Sequence, residues 1–502
     1  MLRYFVLVCA LLLPGQWLLG QEAKAVFWER DALSGGDWKG NLGKIGYSIP
    51  GFETLLRETI QLEWGENVHN YIWELETEDS NALQKTGTAR VLACRFAAQG
   101  PVTFTLDAGP QPRKVTLYFY DGDHKNRSQG IRFYDESGQL LDEIVLGSFD
   151  TGVRLSWLIQ GKVAVAIHPG QGSPNAVINA VFIDEIDTGI VVPEKKSPAS
   201  STRKQIRFLA GTKSHGYGGH EHNAGALYLA ELLETVADVD CIVYLDCKPG
   251  RLPDFDDADC VVVYSDGLGG WPLIGKSEQL ETMKNRGCGF VFLHYATLPN
   301  QRYENQRVIS GPEFEFVKQA TGAVYELFWS VNPFYTAHFT SFVDHPITRG
   351  VKPFSLFDEW YFHLRFLHDL STEEILEKGV LSQVVPILVC IPPDEVKSEP
   401  DGEHSGNPTV RNRKGLSEIV ACAVQREDGG RGFLFTGGDV HWNFRHPDYR
   451  NILVNGILWT TGVEIPESGF HTPNPTVEQL EKNQDDPKPG DWPGHIIFSL
   501  EY

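Results

Sequence analysis

Apolar and polar positions follow two different periods along this chain. Up to about residue 192 the apolar residues come in short alternating runs: VTFTL at 102–106, KVTLYFY at 114–120, IRFY at 131–134 and KVAVAI at 162–167. Turn residues separate them, among them Asp121, Gly122, Ser137, Gly138 and Gly170. Neighbouring residues of a strand face opposite sides, so a period of two rich in β-branched and aromatic residues predicts half-buried strands. This many short strands predict an antiparallel β-sandwich over 26–192. From residue 206 the runs become continuously apolar: IRFLA at 206–210, CIVYL at 241–245, CVVVY at 260–264, FVFL at 290–293 and FLFT at 433–436. Helical patterns lie between or after them, at 222–236, 277–286, 312–321 and 449–461. Strands buried on both faces and alternating with helices predict a mostly parallel, doubly wound α/β domain over 206–465.

The segment PEKKSPASSTRKQ at 193–205 has no apolar stretch and predicts an exposed linker between two halves that fold independently. A Pro-rich tail covers 466–502, with one short helix candidate at 476–482. At the other end, Arg3 precedes an apolar run at 4–13, and Ala23, Lys24 and Ala25 form an A-x-A cleavage candidate. Residues 1–25 therefore predict an export signal, and the mature chain is expected to be secreted or periplasmic without stable membrane insertion. Lys and Arg number 44 against 66 Asp and Glu, a formal charge of −22. Such a chain repels phosphate backbones, so no nucleic-acid partner is expected. Apart from Cys9 in the leader, the cysteines are sparse, odd in number and set in or beside apolar runs, with no C-x-x-C. They predict buried free thiols rather than a disulfide scaffold. The Trp residues of the first half, Trp28, Trp38, Trp64, Trp73 and Trp157, predict core packing more than sugar stacking.

In open α/β sheets ligands bind at the carboxyl ends of the strands. The first such strand runs into TKSHGYGGHEHNAG at 212–225, which carries His215, Tyr217, His220, Glu221, His222 and Asn223. The strand at 290–293 ends at His294 and Tyr295, and the strand at 433–436 runs into Gly437, Gly438, Asp439, Val440, His441 and Trp442. Three strands thus deliver His to one edge, which packing alone does not require. In FDEWY at 357–361, Asp358 and Glu359 point to opposite faces of a strand, so at most one enters the site easily. The acid–base candidates are His215, His220, Glu221, His294, Glu359 and His441, and the substrate-contact candidates Tyr217, Asn223, Tyr295, Tyr361 and Trp442. Imidazoles and carboxylates leave room for a divalent ion, but no ligand spacing such as H-E-x-x-H defines one. A thiol nucleophile would need a strand-to-helix elbow. Cys260 and Cys288 precede their strands, Cys247 and Cys390 lack flanking glycines, and His294 holds the elbow position. There is also no G-x-S-x-G, P-loop or dinucleotide fingerprint.

These segments, with DHPITRG at 344–350 and NILVNGILWTTGVEIP at 451–466, resemble the ThuA-like (trehalose-utilisation) family in its secreted, planctomycete-type form. The resemblance covers about Gln205 to the C-terminus. It implies a flavodoxin-like, class I glutamine-amidotransferase-like fold without the amidotransferase thiol, and action on trehalose, related sugars or 3-keto-glycosides. In similar secreted forms the late motif reads G-G-H-x-H; here Asp439 stands where its first His would be, and Asp also ligates and titrates. The N-terminal half resembles a sandwich module of extracellular carbohydrate-active proteins. The expected function is an exported carbohydrate-processing enzyme, a hydrolase, lyase or isomerase using His and carboxylate groups on a small sugar or glycoside. The alternative is a non-catalytic carbohydrate-binding or scaffolding protein. The sugar, the metal and the oligomeric state stay open.

Overall fold

The computed structural model describes residues 23–186, 192, 203–252, 254–304, 307–309 and 311–492. The expected leader up to residue 22 and the expected linker at 193–202 lie outside the described residues. Among the described residues no helix is long and apolar enough to cross a membrane.

The N-terminal half is strand-rich. Val102–Asp107, Gln129–Tyr134 and Lys162–Pro169 bury alternate residues, as a period of two requires. They pair antiparallel with one another. A second antiparallel sheet of six strands includes Lys24–Asp31, Arg113–Phe119, Val153–Gln160 and Ala180–Glu185. Val115, Leu117, Leu155 and Trp157 of one sheet share a core with Phe104, Ile131, Phe133 and Val165 of the other. Trp157 is fully buried there, 4.6 Å from the Phe133 ring, and donates its Nε1–H to Asp142 at 3.0 Å. A buried indole needs such a partner for its one polar atom.

In the second half, Lys204–Gly211 pairs in parallel with Val239–Cys247 on one side and Cys260–Tyr264 on the other. Gly289–Leu293 and Arg431–Phe435 extend the parallel sheet. Two further strands, Glu418–Gln425 and Val384–Cys390, close that edge antiparallel. Successive residues of the parallel strands enter two different cores. Phe208, Val262 and Val291 join the core that includes helices His222–Val236 and Pro447–Thr461. Leu209, Val261, Val263, Phe290 and Phe292 join the core that includes Ser277–Asn285 and Pro312–Thr321. Burial on both faces is why these strands lack the polar alternation of the first half.

The two halves share one sheet. Leu140–Leu146 pairs in parallel with Val239–Cys247 through Val145 with Tyr244 and Leu146 with Leu245, producing a run of twelve strands. Gly147 continues the seam by donating its N–H to Leu245 O at 2.7 Å. A Cβ at Gly147 would lie about 3.0 Å from that same oxygen, so the close approach needs glycine. The strand after the expected linker begins at Lys204, so the last residues of that linker belong to the sheet.

Candidate functional site

The parallel strands end on one edge, and their polar residues meet there. Lys204–Gly211 leads into the loop with His215 and His220; Cys260–Tyr264 is followed by Ser265 and Asp266; Gly289–Leu293 by His294; and Arg431–Phe435 by Thr436 and Asp439. Glu359 comes from a separate hairpin, Phe334–Phe339 with Phe354–Glu359. One donor atom each from His220, His294, Glu359 and Asp439 lies within 4.8 Å of all the others. Both His220 and His294 have positive φ, 49° and 52°. Such backbone strain in non-glycine residues is held only where the surroundings over-determine it, and it clusters at functional sites.

The hydrogen bonds fix the tautomers. His294 Nδ1 lies 2.9 Å from the Thr436 carbonyl oxygen, which can only accept, so Nδ1 carries the proton. His220 Nδ1 lies 2.8 Å from Asp266 Oδ1 and donates for the same reason. Each neutral ring then has a lone pair on Nε2, and the two Nε2 atoms face each other at 2.9 Å. Two lone pairs cannot satisfy one another, and a cation placed between them would satisfy both. Burial holds both imidazoles well below their ordinary pKa, and the neighbouring histidines add to it, so protonation is disfavoured. His220 Nε2 is also 3.3 Å from Asp439 Oδ1, and His294 Nε2 is 3.4 Å from Glu359 Oε2. Burial pushes Glu359 up to about 8, with Asp439 adding to the shift, and pushes Asp439 up to about 7, with Asp358 adding. Neutral imidazoles and carboxylates that resist ionising are what a cation site presents when its charge is not counted. In a tetrahedral site with bonds of about 2.0–2.1 Å, ligand atoms are about 3.3 Å apart. The spacings of 2.9, 3.3 and 3.4 Å match that edge, so this donor set fits a divalent ion such as zinc.

The other predicted residues surround this group in different ways. Tyr361 donates its hydroxyl to Glu359 at 3.1 Å and lies 3.2 Å from His294 Nε2. Tyr295 is half-buried, its ring 5.8 Å from that of His220. His215 is exposed, with Nδ1 2.9 Å from His220 Nδ1. Five residues are not brought to the cluster. Glu221 is buried beneath the loop, where it pairs with Lys213 and accepts the backbone N–H groups of Gly218 and Asp485. Asn223 is occupied by Asp246 and Asp485. His441 turns away and donates Nε2–H to Leu480 O at 3.0 Å. Tyr217 packs with Trp442 and Trp492, the last a residue of the tail.

Three carboxylates absent from the sequence-based candidates matter here: Asp439 in the cluster itself, Asp266 and Asp358. Asp266 orients His220 as the outer carboxylate of a metal-ligating His does. Asp358, fully buried, accepts the N–H groups of Gly438, Asp439 and Val440 and so fixes the loop that presents Asp439. Asp266 obeys the strand-end rule that located the histidines, and that rule applied to Cys260–Tyr264 would have found it.

No curated protein matches the chain. A ThuA-like protein from Bacteroides uniformis is similar in structure at 15% identity, covering 55% of this chain and 98% of its own, with a TM-score of 0.33. A ThuA-like protein from Parabacteroides merdae is similar at 11% identity, covering 56% and 100%, also at 0.33. PurLQS from Thermotoga maritima follows at 12% identity, 52% and 97% coverage and a TM-score of 0.25. A family model described as ThuA, trehalose utilisation, matches residues 207–460. That span holds His220, His294, Glu359 and Asp439 together with Asp266 and Asp358, and the chain belongs to the ThuA family.

Proposed function

We propose that this chain is an exported carbohydrate-processing enzyme that acts on a small sugar or 3-keto-glycoside at a cation-assisted acid–base site. The family's description supports the sugar. The observation that carries the chemistry is the pair of Nε2 lone pairs 2.9 Å apart with Glu359 and Asp439 beside them. His220, His294, Glu359 and Asp439 would hold a divalent ion, whose fixed positive charge would organise the site and favour negative charge developing on a sugar oxygen at its mouth. Between the group and solvent stand Ser214 and His215, which are exposed, and Tyr295, which is half-buried; together they form the mouth of the site. His215 is the general base at that mouth. Tyr295 keeps its proton, since burial pushes it up to about 12, and donates a hydrogen bond to the sugar. Tyr361 holds the Glu359 carboxylate and the His294 ring in register. The same reading takes the α/β half as a doubly wound, class I glutamine-amidotransferase-like domain and the strand-rich half as a β-sandwich module.

The test is metal analysis of the purified protein, followed by turnover assays on trehalose, sucrose and their 3-keto forms before and after chelation. Activity that disappears with chelator and returns with added zinc or manganese is expected. Unchanged turnover in protein stripped of metal would remove the cation from the mechanism. The Tyr217, Trp442 and Trp492 cluster favours a second reading, a sugar-binding protein without turnover. Saturable binding of a sugar that is recovered intact would select it.

A further inference from the structure

The inner group of four ligands is closed. His220 and His294 are 1% and 0% exposed, and four protein donors are the full ligand number of a structural zinc site. A catalytic ion needs an open position, and sites of that kind have three protein ligands. A second set of three lies next to it: His220, His222 and Asp266, whose donor atoms are within 4.8 Å of one another. His222 is fully buried, and its Nε2 has no hydrogen-bond partner among the described residues. Its Nδ1 faces the Thr212 carbonyl at 3.3 Å, so Nδ1 carries the proton and Nε2 presents a lone pair. That lone pair lies 3.9 Å from Asp266 Oδ1, which is itself 2.8 Å from His220 Nδ1. The first turn of helix His222–Val236 begins here, and its positive end disfavours a charged imidazole. Ser214 and His215 bound the outer side and are exposed.

Resting on the cation reading above, we propose a second divalent-cation site formed by His220 Nδ1, His222 Nε2 and Asp266, open toward Ser214 and His215 and sharing His220 with the inner site. With both ions bound, His220 bridges them as an imidazolate, and its Nδ1 proton passes to solvent. The charges then balance: Glu359, Asp439, Asp266 and the imidazolate supply four negative charges against two dications. The outer ion, with its open position beside His215, is the one that meets substrate, and the inner ion holds the bridge in place.

The test is titration of chelator-stripped full-length protein with Co2+, counted by elemental analysis, and loading with Cu2+ for electron paramagnetic resonance. Two equivalents are expected for the unmodified protein. One is expected for Asp266→Asn or His222→Gln, and one for Glu359→Gln. In the two-copper protein, coupling through the imidazolate should leave a resonance intensity well below that of two isolated ions, a readout that needs no variant to fold. One equivalent in the unmodified protein, unchanged in Asp266→Asn and lost in Glu359→Gln, would overturn the outer site and leave the inner one standing. One equivalent lost in Asp266→Asn and kept in Glu359→Gln would overturn the inner reading and the bridge together. Two equivalents with full, uncoupled copper signal would overturn the shared imidazolate.

Discussion

His294 directly follows the strand Gly289–Leu293, where a strand-to-helix elbow would present a nucleophile, and its ring is locked by the Thr436 carbonyl, His220 and Tyr361. His294→Ala should lower turnover by roughly two to four orders of magnitude, the usual contribution of a positioned polar catalytic group. Cys247→Ser should leave activity intact, because burial pushes that thiol well above its ordinary range and no reactive thiolate forms. Steady-state kinetics on folded variants, checked by circular dichroism, decides both. Near neutral pH the cation-free protein keeps protons on Glu359 and Asp439 that the unfolded chain releases near 4.5 and 3.8. The native state therefore binds more protons than the unfolded one between about pH 4 and 8, and this pair's contribution to stability falls as pH rises through that window. Melting of chelated protein should show a steeper loss toward pH 8 than a Glu359→Gln/Asp439→Asn variant, and added zinc should stabilise most at the high-pH end. Strand-end placement made His220 and His294 legible in the sequence. His441 obeys the same rule, but it lies in a 3-10 turn that aims its ring at Leu480, and no periodicity encodes that rotation. Glu221 misled differently: its buried charge is matched by Lys213, from the same loop.

Among the elements, the tail is the one the sequence described least. Its composition reads as Pro-rich and turn-rich around one helix candidate; that helix forms as Val477–Glu481 with a Thr476–Gln479 capping box, but nothing in the composition announces the burial of Leu480. The reason is that its contacts are polar and long-range, so no local pattern announces them. Asp485 pairs with Arg30 from the first strand, donates its N–H to Glu221 and accepts from Asn223, while Asp486 pairs with Lys213. Arg30 in turn holds Asp246 at 2.6 Å, so one buried guanidinium separates two carboxylates. Arg30→Ala should cost about 3–5 kcal/mol in chemical denaturation, because it leaves those charges buried without a partner. Removing the chain from Thr476 onward should weaken cation binding, because the loop carrying His215, His220 and His222 loses the contacts that Glu221, Asn223 and Lys213 make with the tail. Calorimetric titration of the truncated and full chains measures this.

At the scale of the whole molecule, the change from period two to continuous apolar strands was plain, and so was the turn-rich break near residue 193. What the pattern could not express is that the two halves are hydrogen-bonded edge to edge. Pairing of Val145 and Leu146 with Tyr244 and Leu245 uses backbone groups, which leave no trace in side-chain chemistry. Limited proteolysis between 193 and 202 should therefore nick the chain without separating it. The two fragments should elute together in gel filtration and part only in denaturant. Elution of two folded pieces would mean that the shared sheet and the Arg30 contacts do not hold the halves together on their own.

The pinning of the His loop by the tail also sets a clock. The Asp485 to Glu221 contact joins residues 264 positions apart. At about 5–20 residues per second, roughly 13–53 s of translation separates the two partners. During that interval the loop exists without its fastener, so a chain still on the ribosome presents its histidines in no fixed arrangement. On the cation reading proposed above, metal capture would then wait until well after the loop itself has been made. On that reading, order of synthesis alone would delay loading of the nascent chain, with no separate inhibitor needed.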